Sequence, residues 1–368
     1  MIKLAVRAVG RLARDSQRWL DLRIMAAKQR RAFRGDDVAV AGFFGTNTGL
    51  SRAAQLIALS LEQAGSRVIR VDLAPLFSRD PIVNPGFVSP IECMKRDCSD
   101  LVYVANPHCD ILSAFRANWL VERCVVGHWI WELERVPRAW LEQAHLYDEI
   151  WAPTDLVRSA IGPAAVRTFS YAPENDPFTR PTGEQRTLLR SALALDEATF
   201  VVGYSFSALS NYYRKNPEDA VKAFRLAFPV ENDVALVIRC PDIDMRPHEC
   251  TMLERQIGSD DRIRILRKDG IALFYAAIDL YLSTSRAEGY GLNLVEAAQC
   301  GLPVVTTGWR LPPDIAGLPQ VEPVSFALVD VVDPQGHYSD VAGAQWASPD
   351  LGDVATRLRA HRSAFLAR

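Results

Sequence analysis

Short apolar runs recur along the chain at intervals filled by stretches of helical periodicity. Residues 37–44 (DVAVAGFF), 67–72, 101–105, 124–129 and 149–153 have the length and β-branched content of buried strands, each with a Gly, Pro, Asn, Asp or His at or beside its last residue. A second series follows at 199–205, 234–240, 262–266, 279–283 and 303–307. Helical patterns lie between the strands, for example from 50 to about 65, after Asn216-Pro217-Glu218, and from about 351 to 366. Alternation of this kind predicts an α/β fold with mostly parallel sheets covered by helices on both faces. The Pro-dense polar stretch 171–183 separates the two series. It predicts an N-terminal domain over 35–172, a linker over 173–183, a C-terminal domain over 184–350 and a terminal helix over 351–368 near the domain junction.

Composition narrows the class. The chain has 368 residues, 49% apolar and 23% charged, enough for two separate cores. A net charge of −2 gives no case for a nucleic-acid partner. No apolar run reaches membrane-spanning length, and the N-terminus lacks the apolar core of a signal peptide. Seven cysteines without a CxxC spacing argue for core filler in a reducing cytoplasm rather than disulfides or zinc. The overall balance hides an asymmetry: residues 1–34 carry ten Lys/Arg against Asp15 and Asp21. Leu4, Ala8, Leu12, Trp19, Leu22 and Met25 recur there at roughly helical intervals. This predicts a basic N-terminal helix suited to an anionic membrane face. The alternative is a helix packed on the body with its basic face in water.

The chemistry concentrates in residues 283–308, STSRAEGYGLNLVEAAQCGLPVVTTG. A strand runs into a glycine turn, then a short helix, then a second buried strand. A helix N-terminus after such a turn offers unpaired backbone N–H groups and a positive dipole end, which suits a diphosphate. Glu288 precedes the helix and Glu296 lies about 7 Å into it at 1.5 Å per residue. One carboxylate thus flanks each side of the anion site, as ribose and sugar hydroxyls flank the pyrophosphate of a nucleotide-sugar.

This stretch resembles the donor site of retaining glycosyltransferases of family four (glycosyl transferases group 1), whose fold is GT-B. Their Glu-x7-Glu pattern is matched at Ser285, Glu288, Gly289, Gly291, Glu296, Ala297, Gly301, Pro303, Val304 and Val305. The resemblance implies two doubly wound, Rossmann-like domains facing each other across a cleft, the first for the acceptor and the second for the donor. It implies that Glu288 orients the sugar hydroxyls and Glu296 holds the ribose. The amides of Tyr290, Gly291 and Leu292 would bind the diphosphate, together with Ser207 and the cations Arg214 and Lys215. The family places such an Arg/Lys pair in the loop SFSALSNYYRKNP. In the first domain the loop after the first strand yields Gly45, Asn47, Thr48 and Gly49 as candidates, although its glycines do not form a GxGxxG fingerprint. His128, in VVGHWIWELERVPRAW, is implied as a catalytic contact to sugar or acceptor. His108 and Glu132 are lesser candidates.

The implied activity is transfer from a nucleotide-sugar to a glycan or lipid-linked acceptor, in the cytoplasm or on the inner face of the cell membrane, without a resident cofactor. Asp242-Ile-Asp244 resembles a metal-binding Asp-x-Asp but follows a strand of the wrong domain, so metal independence is expected. A nucleotide-sugar epimerase or hydrolase, or a non-catalytic nucleotide-sugar-binding subunit, remains an alternative.

Overall fold

The computed structural model describes residues 17–46, 48–77, 86–164, 167–169, 182–268 and 270–367. The chain divides into two compact units: residues 1–131 with 136–172, and residues 132–135 with 173–368. Most of the expected linker, 173–181, lies outside the described residues, as do residues 1–16 and Asn47.

The first unit is built on β1 (Asp37–Gly42), β2 (Arg67–Asp72), β3 (Asp100–Tyr103), β4 (Cys124–His128), β5 (Glu149–Ala152) and the short β6 (Arg167–Thr168). They pair in the order β2-β1-β3-β4-β5-β6, all parallel. The chain therefore reverses direction across the sheet between β1 and β3, the order of the flavodoxin-like version of a doubly wound sheet. Helix Gly49–Gln63 follows β1, with Thr48 as its N-cap accepting from Ser51 N–H. Of the described residues in the expected N-terminal helix, 17–26 are helical and 28–34 run on without regular structure. Met25 is buried, and Lys28 pairs with the buried Asp148, which also accepts from Arg31 N–H.

The second unit is built on β7 (Phe200–Ser205), β8 (Val234–Arg239), β9 (Ile263–Leu266), β10 (Leu280–Ser283), β11 (Val304–Thr307) and β12 (Val321–Val324). Their order is β12-β11-β10-β7-β8-β9, again all parallel. That is the Rossmann order, with its switch point between β7 and β10. Phe200, Val202 and Tyr204 of β7 enter a core with Leu236, Ile238, Phe224, Leu253, Leu282 and Val305. On the opposite face Gly203 is needed for close approach: a Cβ there would lie 2.5 Å from Ile278 Cδ1. Helix Gly183–Ala192 is clamped by the buried Arg190, which donates to Ala277 O at 3.0 Å and to Asp279 at 2.6 Å.

One feature falls outside the sequence expectation. An antiparallel ribbon, β13 (Phe326–Asp330) with β14 (Gln345–Pro349), projects after β12. The last helix, Leu351–Leu366, packs within the second unit: Val354, Ala355 and Leu358 join its core and Phe365 meets Phe200 at 5.5 Å.

Candidate functional site

Ligands of open α/β sheets bind at the carboxyl ends of strands beside a switch point. In the second unit those ends are Ser205 of β7 and Ser283 of β10, and the loops that follow them carry the charged residues. Two asparagines shape the first loop with left-handed or near-left-handed backbones, Asn211 at φ 80° and Asn216 at φ 56°. Asn and Asp tolerate this region better than other non-glycine residues. Asn211 Oδ1 accepts from Arg214 N–H at 2.8 Å, capping the single turn Tyr212–Lys215. Asn216 precedes helix Pro217–Ala227, yet its side chain does not cap it. It donates instead to Asp219 at 2.7 Å and Thr284 O at 3.2 Å, while Thr284 Oγ1 donates to Asn216 O at 2.8 Å. Arg286 N–H adds a bond to Arg214 O at 2.8 Å. The two loops are thus stitched together at their backbones.

The stitching brings Arg214, Lys215 and Glu288 into one cluster. Lys215 Nζ lies 2.5 Å from Glu288 Oε1, and Arg214 Nη1 lies 3.4 Å from Glu288 Oε2. Arg214 is 2% exposed and spends most of its donors on protein: Ala287 O at 2.7 Å, and Ser210 O and Oγ at 2.8 Å each. Its Nη2 also faces Glu132 Oε1 at 3.3 Å, and Glu132 Oε2 accepts from Tyr338 O–H at 3.2 Å. Burial alone would raise the Glu288 carboxyl; Lys215 first and Arg214 next outweigh it and bring it down to about 2. Burial pulls Lys215 below its ordinary value, partly offset by Glu288. Arg214 stays above its ordinary value because Glu132, Tyr338 and Glu288 together overcome burial. The cluster therefore holds two cations against the two carboxylates Glu132 and Glu288.

Beside it starts helix Leu292–Gln299, with Gly291 as N-cap at φ 99°, a conformation that favours glycine. The first intrahelical bonds are those of Leu294 and Val295 N–H to Gly291 O, so the amides of Leu292 and Asn293 precede the ladder. Tyr290 is buried, and Leu292 is half-buried. Glu296 is 4% exposed and lies 3.4 Å from Tyr275 Oη. Asn293 Nδ2 donates to Ser205 O at 2.9 Å, tying the helix start to β7. Arg239, paired in register with Ser205, lies 3.4 Å from Ser205 Oγ. Ser207 donates to Asp242, whose other oxygen accepts from Ala208 N–H at 2.8 Å. Asp242 therefore shapes the Ser207 turn, and Asp244 pairs with Arg267 at 3.0 Å. Among the described residues no group of three or more His, Cys, Asp and Glu is placed to hold a metal ion.

The remaining sequence candidates belong to the first unit. Gly45 N–H donates to Asp72 at 3.1 Å, and Gly49 opens helix Gly49–Gln63. Asn47 lies outside the described residues. His128 ends β4 with no exposed surface, and burial lowers it to about 3, so it is neutral at physiological pH. His108 is exposed and near Trp140, while Trp129 and Trp131 are buried and pack against Trp140.

Sequence reasoning underweighted the support of the cluster. Glu132 was a lesser polar candidate, and it is a counter-ion of Arg214. Residues 333–338 were not singled out, yet Asp333 accepts from Asn211 Nδ2 at 2.7 Å and Gln335 from Tyr212 N–H at 2.7 Å. Ribbon strand β14 joins through Ala347 N–H to Arg286 O at 3.0 Å, with the Arg286 guanidinium 5.8 Å from the Trp346 ring centre. The available signal was the run of Asp, Gln and Tyr before Trp346-Ala347, polar residues in a segment with no helical or strand period.

The family model described as glycosyl transferases group 1 matches residues 200–336. Among curated proteins, N-acetyl-alpha-D-glucosaminyl L-malate synthase of Bacillus anthracis is 32% identical over 117 residues, 31% of this chain and 28% of its own length. Alpha-monoglucosyldiacylglycerol synthase of Streptococcus pneumoniae is 28% identical over 172 residues, 45% of this chain and 38% of its own length. The matches thus span well under half of these relatives. Among solved structures, Anabaena HepE in complex with UDP and glucose is similar over 89% of this chain and 94% of its own, with a TM-score of 0.57 at 16% identity. The lipopolysaccharide-biosynthesis glycosyltransferase WaaG is similar over 89% and 90%, with a TM-score of 0.56 at 16% identity. The fold is that of the GT-B glycosyltransferases.

Proposed function

We propose that this chain, whose residues 200–336 match the glycosyl transferases group 1 family model, is a retaining glycosyltransferase that moves a sugar from a nucleotide-sugar to a glycan or lipid-linked acceptor. The observation that carries the reading is the cluster of Lys215, Arg214 and Glu288 beside the N-terminus of helix Leu292–Gln299. Transfer breaks the bond between the anomeric carbon and the diphosphate oxygen, so negative charge grows on the leaving group. Fixed cations and backbone N–H groups aimed at that charge stabilise the transition state more than the ground state. Lys215 is the cation that meets the diphosphate, since its ammonium can exchange Glu288 for phosphate oxygens. The amides of Leu292 and Asn293 bind the same group. Glu296 accepts from the ribose hydroxyls and Glu288 from the sugar hydroxyls. The acceptor oxygen bonds to the anomeric carbon on the face the diphosphate leaves, and its proton passes to the departing phosphate oxygen. No enzyme nucleophile and no metal enters this scheme.

The acceptor side rests on less. Trp19 and Leu20 are 58% and 47% exposed, beside Arg18 and Arg23, which supports attachment to an anionic membrane face. Among the described residues no helix is long and apolar enough to cross a membrane. If the N-terminal segment binds that surface, removing residues 1–34 abolishes co-sedimentation with anionic vesicles; unchanged sedimentation refutes it.

The test of the reading is turnover of a nucleotide-sugar panel with and without acceptor extracts, followed by anomeric analysis of the product. Acceptor-dependent release of nucleoside diphosphate with retained configuration is expected. Lys215→Ala should lower kcat by about 10²–10³-fold, the usual effect of removing one stabilising donor. Acceptor-independent, stoichiometric consumption of the sugar would instead identify a hydrolase or epimerase.

A further inference from the structure

The charge count at the cluster carries a consequence for Glu132. Arg214 is 2% exposed and cannot shed its charge, and it faces one carboxylate on each side, Glu288 and Glu132. Glu288 also holds Lys215 at 2.5 Å. Glu132 has a different set of partners: Arg214 at 3.3 Å and the Tyr338 hydroxyl at 3.2 Å. Tyr338 is itself 6% exposed, and its backbone N–H is anchored to Asp333 at 3.1 Å. Asp333 in turn holds Asn211, the residue that caps the Arg214 turn. Glu132 is therefore fixed from both ends, and its side chain is only 18% exposed.

We propose that Glu132 is a positioning residue of the diphosphate site: a fixed counter-ion that holds Arg214 in place and weakens the site's grip on the departing diphosphate. The inference rests on the donor-site reading above. A diphosphate brought against Lys215 and the helix amides is repelled by the Glu132 carboxylate, held 3.3 Å from the neighbouring Arg214. In a partly buried site this repulsion is poorly screened. The repulsion is larger for free nucleoside diphosphate, which carries more negative charge than the nucleotide-sugar. Glu132 therefore discriminates against the product and speeds its release, a step that limits many enzymes.

The experiment is calorimetric titration of the full chain with uridine, guanosine and adenosine diphosphates, paired with steady-state kinetics. Whichever diphosphate binds the wild type should bind Glu132→Gln about tenfold more tightly, on the scale set by one unit charge at this range. The same variant should lose about tenfold in kcat as release slows. Glu132→Asp, which keeps the charge, should move both values back toward wild type. A purely structural role predicts weaker binding together with lower kcat, and that result, or no change, overturns the proposal. Should Glu132→Gln not fold, Tyr338→Phe serves instead: it removes the hydroxyl that disperses the Glu132 charge, so free nucleoside diphosphate should bind about two- to threefold more weakly while the less charged nucleotide-sugar changes less. Tighter diphosphate binding in Tyr338→Phe, or an equal change for the diphosphate and the nucleotide-sugar, overturns the proposal as well. Failure of the wild type to bind any of the three diphosphates refutes the donor-site reading itself, which is distinct from a wrong sign in the variants.

Discussion

At Glu288 two opposing forces meet. Burial favours the neutral acid, while Lys215 and Arg214 favour the carboxylate, and the cations win by enough to bring it to about 2. A carboxyl depressed from its ordinary 4.5 adds stability that is complete above that pH and is lost as pH falls toward 2. Acid unfolding of the wild type should therefore steepen between pH 4.5 and 2, and Glu288→Gln should flatten that limb in a denaturant–pH series. The same substitution leaves the largely buried Lys215 without its carboxylate while Arg214 keeps Glu132, so it should cost about 3 kcal/mol at pH 7. His128 works in the same sense at its own site, through burial rather than through neighbouring cations. Its pKa falls from 6.5 to about 3 by burial, so the unfolded chain binds the proton more readily. It removes stability as pH drops from 6.5 toward 3, and His128→Gln should lessen that loss. A pH profile of melting temperature for the two variants separates the effects, because their windows differ.

The helices and strands explain why these side chains meet. Ser205 and Ser283 end neighbouring strands at the switch point, and Asn211, Asn216 and Thr284 lock the loops that follow. Helix Leu292–Gln299 depends on Gly291 at φ 99°, where a Cβ would also come within 3.1 Å of Leu294. Gly291→Ala should cost about 1–3 kcal/mol and weaken nucleoside diphosphate binding, measured by chemical denaturation and calorimetry. The strands and this helix were legible in the sequence because apolar runs and the glycine turn report local physics. The Glu-x7-Glu spacing was legible for the same reason, since the glycine turn and the helix after it are contiguous in the chain. The short β6, of two residues, was not, for it carries no pattern long enough to read. Nor was β12, whose VEPV includes a proline that demotes a strand on sequence grounds; it pairs only on the edge beside β11. The Glu132–Arg214 pair joins residues 82 positions apart, and no local period encodes such a contact.

Across the whole molecule, the two units use two versions of the doubly wound sheet, flavodoxin-like order in the first and Rossmann order in the second. All candidate diphosphate ligands belong to the second, and its matching family model covers residues 200–336. The seven cysteines are all free and buried, consistent with their use as apolar filler in both units. Native-state hydrogen exchange with bound nucleoside diphosphate should protect residues 203–216 and 284–296 more than β8, which already lies in the core. The claim on which everything rests is that Lys215 grips the diphosphate, and its most direct measurement is the dissociation constant of the best-binding nucleoside diphosphate for the wild type and Lys215→Ala. The variant should bind at least tenfold more weakly, the affinity lost with one charge-assisted contact of about 1.5–3 kcal/mol, with its melting temperature preserved. Equal affinity in the two proteins, with both folded, would contradict the account.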